Sequence, residues 1–365
     1  MNKLKLAHNC YIARKEPVQL IHFVTNHCNA RCKHCFIDFA NPETFRGFLS
    51  LEEIEKLTKS LGKSLFNVNL TGGEPFLRKD IFEIAKLYLT NTTIESLFIS
   101  TNGFFTEFTQ DFIKKFQELK TGKKLLFSIS IDNFQEAHDE NRKLKGLYKR
   151  ALDSYHAIMD FNDPNIVANI GITVTHHNYD KALQVYEHLK KEGVRSFAAT
   201  LMREEGVVKT IDPEMKKKLL DSYVALSNAI HQDQKKGTVN CWGGTLQGSV
   251  MEAKNMIMNR IIPDIYINNT YVAPCHSGAL FGVIYANGDV YPCEILNDKK
   301  LGNLRDFDMN FMDLWNSKPV KECRSFIHDT KCTCTFECAW SINIISNAQF
   351  FPELAIKTLG VQWKK

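Results

Sequence analysis

Cys28, Cys32 and Cys35 lie within eight residues, in the segment Cys28-Asn-Ala-Arg-Cys32-Lys-His-Cys35. Thiolates are ligands for iron–sulfur clusters and for zinc. A cubane cluster offers one iron per ligand, so three thiolates would leave one iron open. The alternative is a structural zinc site. Cys32 and Cys35 have zinc-knuckle spacing, and His27 or His34 would supply a fourth ligand. A second group of six cysteines lies near the end of the chain: Cys275, Cys293, Cys323, Cys332, Cys334 and Cys338. Read alone, it suggests a zinc ribbon.

Between the two groups are residues suited to holding a polar ligand. In Thr71-Gly72-Gly73-Glu74-Pro75 the paired glycines let backbone come close to a ligand. The Glu74 carboxylate suits an ammonium. The same sequence is also an ordinary turn. Ser100-Thr101-Asn102-Gly103 reads as a strand end. Ser130-Ile131-Asp132 is followed by His138, Asp139 and Arg142. A fixed guanidinium holds a carboxylate well, although Arg142 also reads as a surface arginine near a helix start. Arg203, Glu204 and Glu205 carry three charges that could read a substrate or equally form a solvated loop.

These residues need a scaffold, and the pattern predicts one. Strands are expected at 20–25, 66–70, 97–101, 125–131, 166–174 and 195–200, with helices between them. Ser50 caps the first helix, and Glu53 completes a capping box. Six strand–helix units argue for a parallel sheet with helices outside. Buried parallel strands normally read as continuous apolar runs. Here Asn67 and Asn69 share a face, as do Ser128, Ser130 and Asp132, and Asn169, Gly171 and Thr173. A polar inner face points to an open, partial barrel whose lumen holds a polar ligand, since a closed barrel fills that space with Val, Ile and Leu. The cysteines of the first group leave a strand at its C-terminal end, where parallel α/β folds collect their ligands.

The composition excludes several classes. The chain has 365 residues, 44% hydrophobic and 24% charged, as in an ordinary globular protein. A net charge of +5, with Lys216–Lys218 the one dense basic run, argues against nucleic acid. No apolar run reaches the roughly 20 residues of a membrane span, and the N-terminus lacks a signal-peptide core. A cytoplasmic, non-membrane protein is expected. In that reducing setting eleven cysteines are read as ligands rather than disulfides.

The CxxxCxxC segment after the first strand, followed by Gly72-Gly73-Glu74-Pro75 after the second, resembles the radical S-adenosylmethionine (SAM) enzymes. The resemblance implies a partial (β/α)6 barrel in which Cys28, Cys32 and Cys35 hold a [4Fe–4S] cluster. The amino and carboxylate groups of SAM chelate the open iron. Reductive cleavage then gives a 5′-deoxyadenosyl radical that abstracts a hydrogen atom. His34 stands where the family usually has an aromatic residue. By the same resemblance, Gly72, Gly73, Glu74 and Pro75 would bind the SAM amino group. Asn102 would lie near the ribose or methionyl part. Ser130 and Arg142 would contact the carboxylate or ribose. Ile172 and Val174 would pack near the adenine, with core packing the alternative.

The Cys275-x12-Gly288-x4-Cys293 spacing resembles the opening of SPASM and Twitch auxiliary-cluster domains. These cysteines flank an expected hairpin, 281–285 and 290–291, turning at Asn287-Gly288-Asp289. Six cysteines are one fewer than a full SPASM domain uses, so one auxiliary [4Fe–4S] cluster is expected. Its ligands would be Cys275 and Cys293 plus two of Cys332, Cys334 and Cys338. Two of the six thiols are left over, with the choice among Cys323, Cys332, Cys334 and Cys338 open; Cys241 could raise the count to two clusters, and Cys10 reads as a plain thiol. The expected architecture is an N-terminal extension (1–17), the α/β barrel (18–210), a bridging helical region (211–272), a smaller cysteine-rich α+β domain (273–340) and a tail (341–365). The expected function is oxidative modification of a peptide or protein, with an external donor such as flavodoxin or ferredoxin. Fewer than twenty residues precede the first strand, so a peptide substrate would need a separate recognition partner. The alternatives are oxidation of a small molecule such as an amino sugar, and a zinc-stapled binding protein without catalysis.

Overall fold

The computed structural model describes residues 2–204, 210–239 and 245–362. Its strands are β1 (Gln19–Thr25), β2 (Asn67–Gly72), β3 (Ser96–Thr101), β4 (Lys124–Ser130), β5 (Ile166–Val174), β6 (Phe197–Leu201), β7 (Phe281–Ile284), β8 (Asp289–Tyr291) and β9 (Gly302–Asn303). They form one sheet in the order β6-β5-β4-β3-β2-β1-β7-β8-β9. Strands β1 to β6 are parallel and consecutive, as βα units with right-handed crossovers produce. The sheet is open, so the expected partial barrel is the observed architecture.

Period-two alternation divides the sheet into two faces. On the outer face, Leu125, Phe127 and Ile129 of β4 and Ile170, Ile172 and Val174 of β5 are fully buried under the helices. On the inner face a polar ladder crosses the strands. Asn67 Nδ2 donates to Ser96 Oγ (2.9 Å), and Ser100 Oγ donates to Asn69 Oδ1 (3.2 Å). Ser128 Oγ donates to Asn169 Oδ1 (2.9 Å), and the hydroxyls of Thr173 and Thr200 lie 3.0 Å apart. Side chains that satisfy one another leave the lumen polar without stranding hydrogen-bonding groups.

Local signals set the helix ends. The helix Leu51–Ser60 starts with the predicted capping box, in which Ser50 and Glu53 bond each other's backbone. The helix between β5 and β6 is Ala182–Lys191. Before it, Asn178 accepts from Thr175 N–H (2.7 Å) and donates to Asp132 O (2.6 Å). The expected bridging region contains the helix Leu246–Asn268, with Pro263 inside it.

The expected hairpin is present as β7 and β8, with Val283 opposite Tyr291 and Gly288 at φ +87°. It does not stand alone. β7 pairs in parallel with β1, from Gln19↔Phe281 to His22↔Ile284, and extends the barrel sheet past its first strand. The segment read as a tail is also folded. The helix Phe351–Gln362 packs against Leu246–Asn268, and Arg260 pairs with Glu353 at 2.7 Å. Among the described residues, no helix is long and apolar enough to cross a membrane.

Candidate active site

At the C-terminal ends of the inner strands lies a cavity of about 370 Å³. Cys28, Cys32 and Cys35 all line it, on the loop leaving β1. Two neighbours hold that loop in place. From one side, Gly73 N–H donates to Thr25 O (2.8 Å) and Glu74 N–H to His27 O (2.8 Å). From the other, Arg31 N–H donates to Arg142 O (2.9 Å) and Lys33 N–H to Asn141 O (3.0 Å).

The glycine pair has a reason visible in this packing. Gly72 has φ +136°, and a Cβ there would stand 1.9 Å from Thr25 O. A Cβ on Gly73 would stand 2.1 Å from His27 O. Thus the backbone that must approach closely is the cysteine loop itself, while both glycines still edge the cavity. Pro75 opens the short turn that follows.

Glu74 departs from expectation. Its side chain is fully buried and does not line the cavity. Its carboxylate accepts from Phe76 N–H (3.1 Å), Thr101 Oγ1 (2.8 Å) and Asn102 N–H (2.7 Å). Burial raises its pKa to about 7, against these hydrogen bonds. Glu74 therefore fixes the end of β3 instead of presenting a carboxylate to a ligand. Asn102, held this way, lines the cavity and donates to Asn29 Oδ1 (2.7 Å) beside Cys28.

Ser130 and Arg142 line the cavity as expected. Arg142 is no surface residue. Its Nε donates to Asp132 Oδ2 (3.0 Å), its Nη2 contacts the same oxygen, and its Nη1 stands 3.8 Å from Cys32 Sγ. Asp132 is 1% exposed and also accepts from Thr173 N–H (3.0 Å). Burial alone would raise the Asp132 pKa, but the Arg142 charge and neighbouring histidines hold it at about 2. Burial also raises the Cys32 pKa, with Arg142 opposing it, and pushes Cys28 and Cys35 up to about 11. Ligation to a cation is what would make such thiols thiolates.

His34 lines the cavity with its Nε2 4.0 Å from Asp132, and burial lowers its pKa to about 4, leaving the ring neutral. His27 turns away and stacks on Phe45 at 5.2 Å. Ile172 and Val174 are fully buried in the outer core and do not line the cavity. The pleat puts Thr173, between them, on the inner face. Arg203 lines the cavity, donates to Glu294 (2.8 Å) and lies over the Phe336 ring at 4.9 Å. Glu204 instead pairs with Lys216 at 2.6 Å, as a solvated loop would. Glu205 and Cys241 lie outside the described residues.

Sequence reasoning missed Glu294 and Glu337, which line the same cavity. The available signal was adjacency, since Glu294 follows Cys293 and Glu337 precedes Cys338. Glu337 is half-buried and accepts from Leu201 N–H (3.2 Å), and burial raises its pKa.

Cys275, Cys293, Cys323, Cys332 and Cys334 stand close enough for their charges to act on one another. Leu296 N–H donates to Cys293 Sγ (3.4 Å). Cys334 and Cys338 both pack against the apolar cluster that holds Cys293. Burial raises the Cys338 pKa to about 12, with Glu294 and Glu337 acting in the same direction. Cys338 also lines the cavity of the first three thiols. Cys10 is buried in the same apolar cluster as Cys293, its pKa raised by burial to about 11.

In both groups the donors fit an iron–sulfur cluster. Among the described residues, no three Cys, His, Asp or Glu side chains converge on one ion-sized centre. Thiols arrayed around a space suit a polynuclear group, because each thiolate serves its own iron.

Comparison with known proteins agrees with this geometry. The family model of the radical SAM superfamily matches residues 23–207, and that of the SPASM iron–sulfur cluster-binding domain matches residues 269–339. The Fe-coproporphyrin III synthase of Methanosarcina barkeri is 29% identical over 181 residues, 49% of this chain and 42% of that protein. The GTP 3′,8-cyclase of Cronobacter sakazakii is 40% identical over 84 residues, 22% of this chain and 26% of that protein. The chain thus spans less than half the length of these curated relatives. Among solved structures, native anSMEcpe with bound AdoMet superposes with TM-score 0.61 at 18% identity, covering 96% of this chain and 100% of that one. Streptococcus suis SuiB bound to precursor peptide SuiA gives 0.58 at 17%, covering 92% and 74%. These likenesses show the fold. The chain belongs to the radical SAM superfamily, whose cofactors are SAM and a [4Fe–4S] cluster, and carries a SPASM-type domain for auxiliary iron–sulfur binding.

Proposed function

We propose that this enzyme oxidatively modifies a peptide or protein at the cavity lined by Cys28, Cys32 and Cys35. The observation that carries the reading is the convergence of these thiols, the Gly72–Gly73 edge, Asn102, Ser130 and a pinned Arg142 on one space. When bound there, the reduced cluster and SAM supply a 5′-deoxyadenosyl radical that removes a hydrogen atom from the substrate.

The protein's own residues position and shield. Asp132 fixes the Arg142 guanidinium beside Cys32, where it favours an anionic cofactor and can take a carboxylate. Glu74 fixes Asn102 through its backbone N–H. Phe36, Met202 and Phe336 wall the cavity with apolar surface and keep water from the reacting carbon. The group of five cysteines would hold the auxiliary cluster as an acceptor for the electron left on the substrate.

Two observations favour a peptide. The related folds of anSMEcpe, with Cp18Cys peptide, and of SuiB, with SuiA, were solved with peptides bound. In addition, a cleft of about 320 Å³ joins the cavity at Phe23, Phe36 and Glu294. It is walled by Tyr285 and Tyr291 and carries Asp38, while Glu43 and Asp289 are paired with Arg46 and Lys300. Such a cleft has room for an extended segment.

The test is iron, zinc and sulfide per chain on anaerobically purified protein, beside the triple alanine variant of Cys28, Cys32 and Cys35. About eight irons in the wild type and about four in the variant are expected for two cubane sites. Stoichiometric zinc without sulfide, persisting after reconstitution with iron and sulfide, overturns the reading and leaves a zinc-stapled binding protein.

A further inference from the structure

We propose that a second chamber, beneath the cofactor cavity, receives an uncharged apolar group of the substrate; this rests on the radical SAM reading above. The chamber encloses about 360 Å³ on the same inner face of the sheet. Asn67, Ser96 and Lys124, which open β2, β3 and β4, line it, so it lies toward the strand starts. The cofactor cavity lies at the strand ends. Asn69, Ser100, Thr200, Glu337 and Cys338 line both, so the two spaces share a polar seam.

Below that seam the wall changes character. Phe98 and Leu126 are directly paired across β3 and β4, on the inner face where the flanking pairs are polar. Met251 and Met258 come from the helix Leu246–Asn268, and Ile342 and Ile345 from Glu337–Ser346. Methionines adapt their shape to an apolar guest. Ala198 is a small residue in the wall of the chamber.

The polar groups in the chamber already have partners nearby. The ladder amides and hydroxyls bond along the wall, and buried Lys254 donates to Ser341 Oγ (2.9 Å). His231 is held neutral by burial, its pKa near 4. An aromatic or branched aliphatic body with an amide or hydroxyl near the seam fits. The floor helix Leu246–Asn268 lies between the two matched family segments, 23–207 and 269–339. Part of the chamber floor is thus set by sequence that neither family model covers.

An apolar body of this kind could be a free small molecule or the side chain of a peptide, and calorimetry on the anaerobic holoenzyme separates them. The probes are indole and N-acetyl-Gly-Phe-Gly-amide. Binding of indole assigns the chamber to a free molecule, and binding of the tripeptide alone assigns it to a side chain. In either case Ala198→Phe should weaken binding at least ~10-fold while leaving iron content and SAM binding unchanged. A second variant, Met251→Trp, adds a fluorophore in the wall to the four native tryptophans, and saturating tripeptide, or toluene in place of the emissive indole, should shift its emission relative to wild type. The proposal is overturned if neither probe binds, if Ala198→Phe binds as well as wild type, or if the Met251→Trp emission does not respond. Probe binding is read independently of iron, so missing iron fails the earlier reading and missing probe binding fails this one.

Discussion

Asp132 and Arg142 give the sharpest test of how this site is held. Asp132 is 1% exposed and the Arg142 side chain 8%. The carboxylate accepts from Arg142 Nε and Nη2 on one oxygen and from Thr173 N–H on the other. Asp132→Asn keeps the shape and the Thr173 bond but sets an amide N–H₂ against the guanidinium. Breaking a buried pair by removing one partner costs about 3–5 kcal/mol. The pH behaviour gives an independent floor. A pKa of about 2 against an ordinary 3.8 corresponds to roughly 2 kcal/mol. The folded-state value is depressed, so this stability is fully present above the unfolded value and is lost as pH falls from about 4 towards 2. The assay is urea denaturation of the metal-free reduced chain across that range, with Arg142→Met and the double variant completing a cycle. Asp132→Asn should lose about 3 kcal/mol at pH 7. The double variant should be more stable than the sum of the two single losses predicts. A loss below about 0.5 kcal/mol, the range of ordinary surface substitutions, would refute the argument. So would a gap that does not narrow in acid.

Two further outcomes are expected. Gly72→Ala should destabilise the chain by several kcal/mol and disturb the cysteine loop, because its Cβ would stand 1.9 Å from Thr25 O in a backbone region L-residues avoid; a denaturation midpoint within error of wild type sinks this. Cys293→Ser should lose about four irons, because its thiol stands among the later cysteines. Iron content equal to wild type in this variant would remove Cys293 from the auxiliary ligands.

The order of the strands, the capping box at Ser50, the hairpin turn at Gly288 and the polar inner face could all be read from the chain alone. Each rests on residues a few positions apart, and spacing along one strand or one helical turn fixes which face a side chain takes. The placement of Cys28, Cys32, Cys35, Gly72 and Gly73 at one cavity was legible for the same reason, because the ends of neighbouring parallel strands meet. The pleat of β5 was legible too, with Thr173 facing inward and Ile172 and Val174 outward. The rest needed the tertiary structure. Local sequence does not state that β7 joins β1, a pairing that spans most of the chain. It does not state that Glu74 points at Thr101 and Asn102, because that direction depends on where β3 ends relative to β2. Sequence spacing determined which residues could do chemistry, and long-range packing decided which of them share a space.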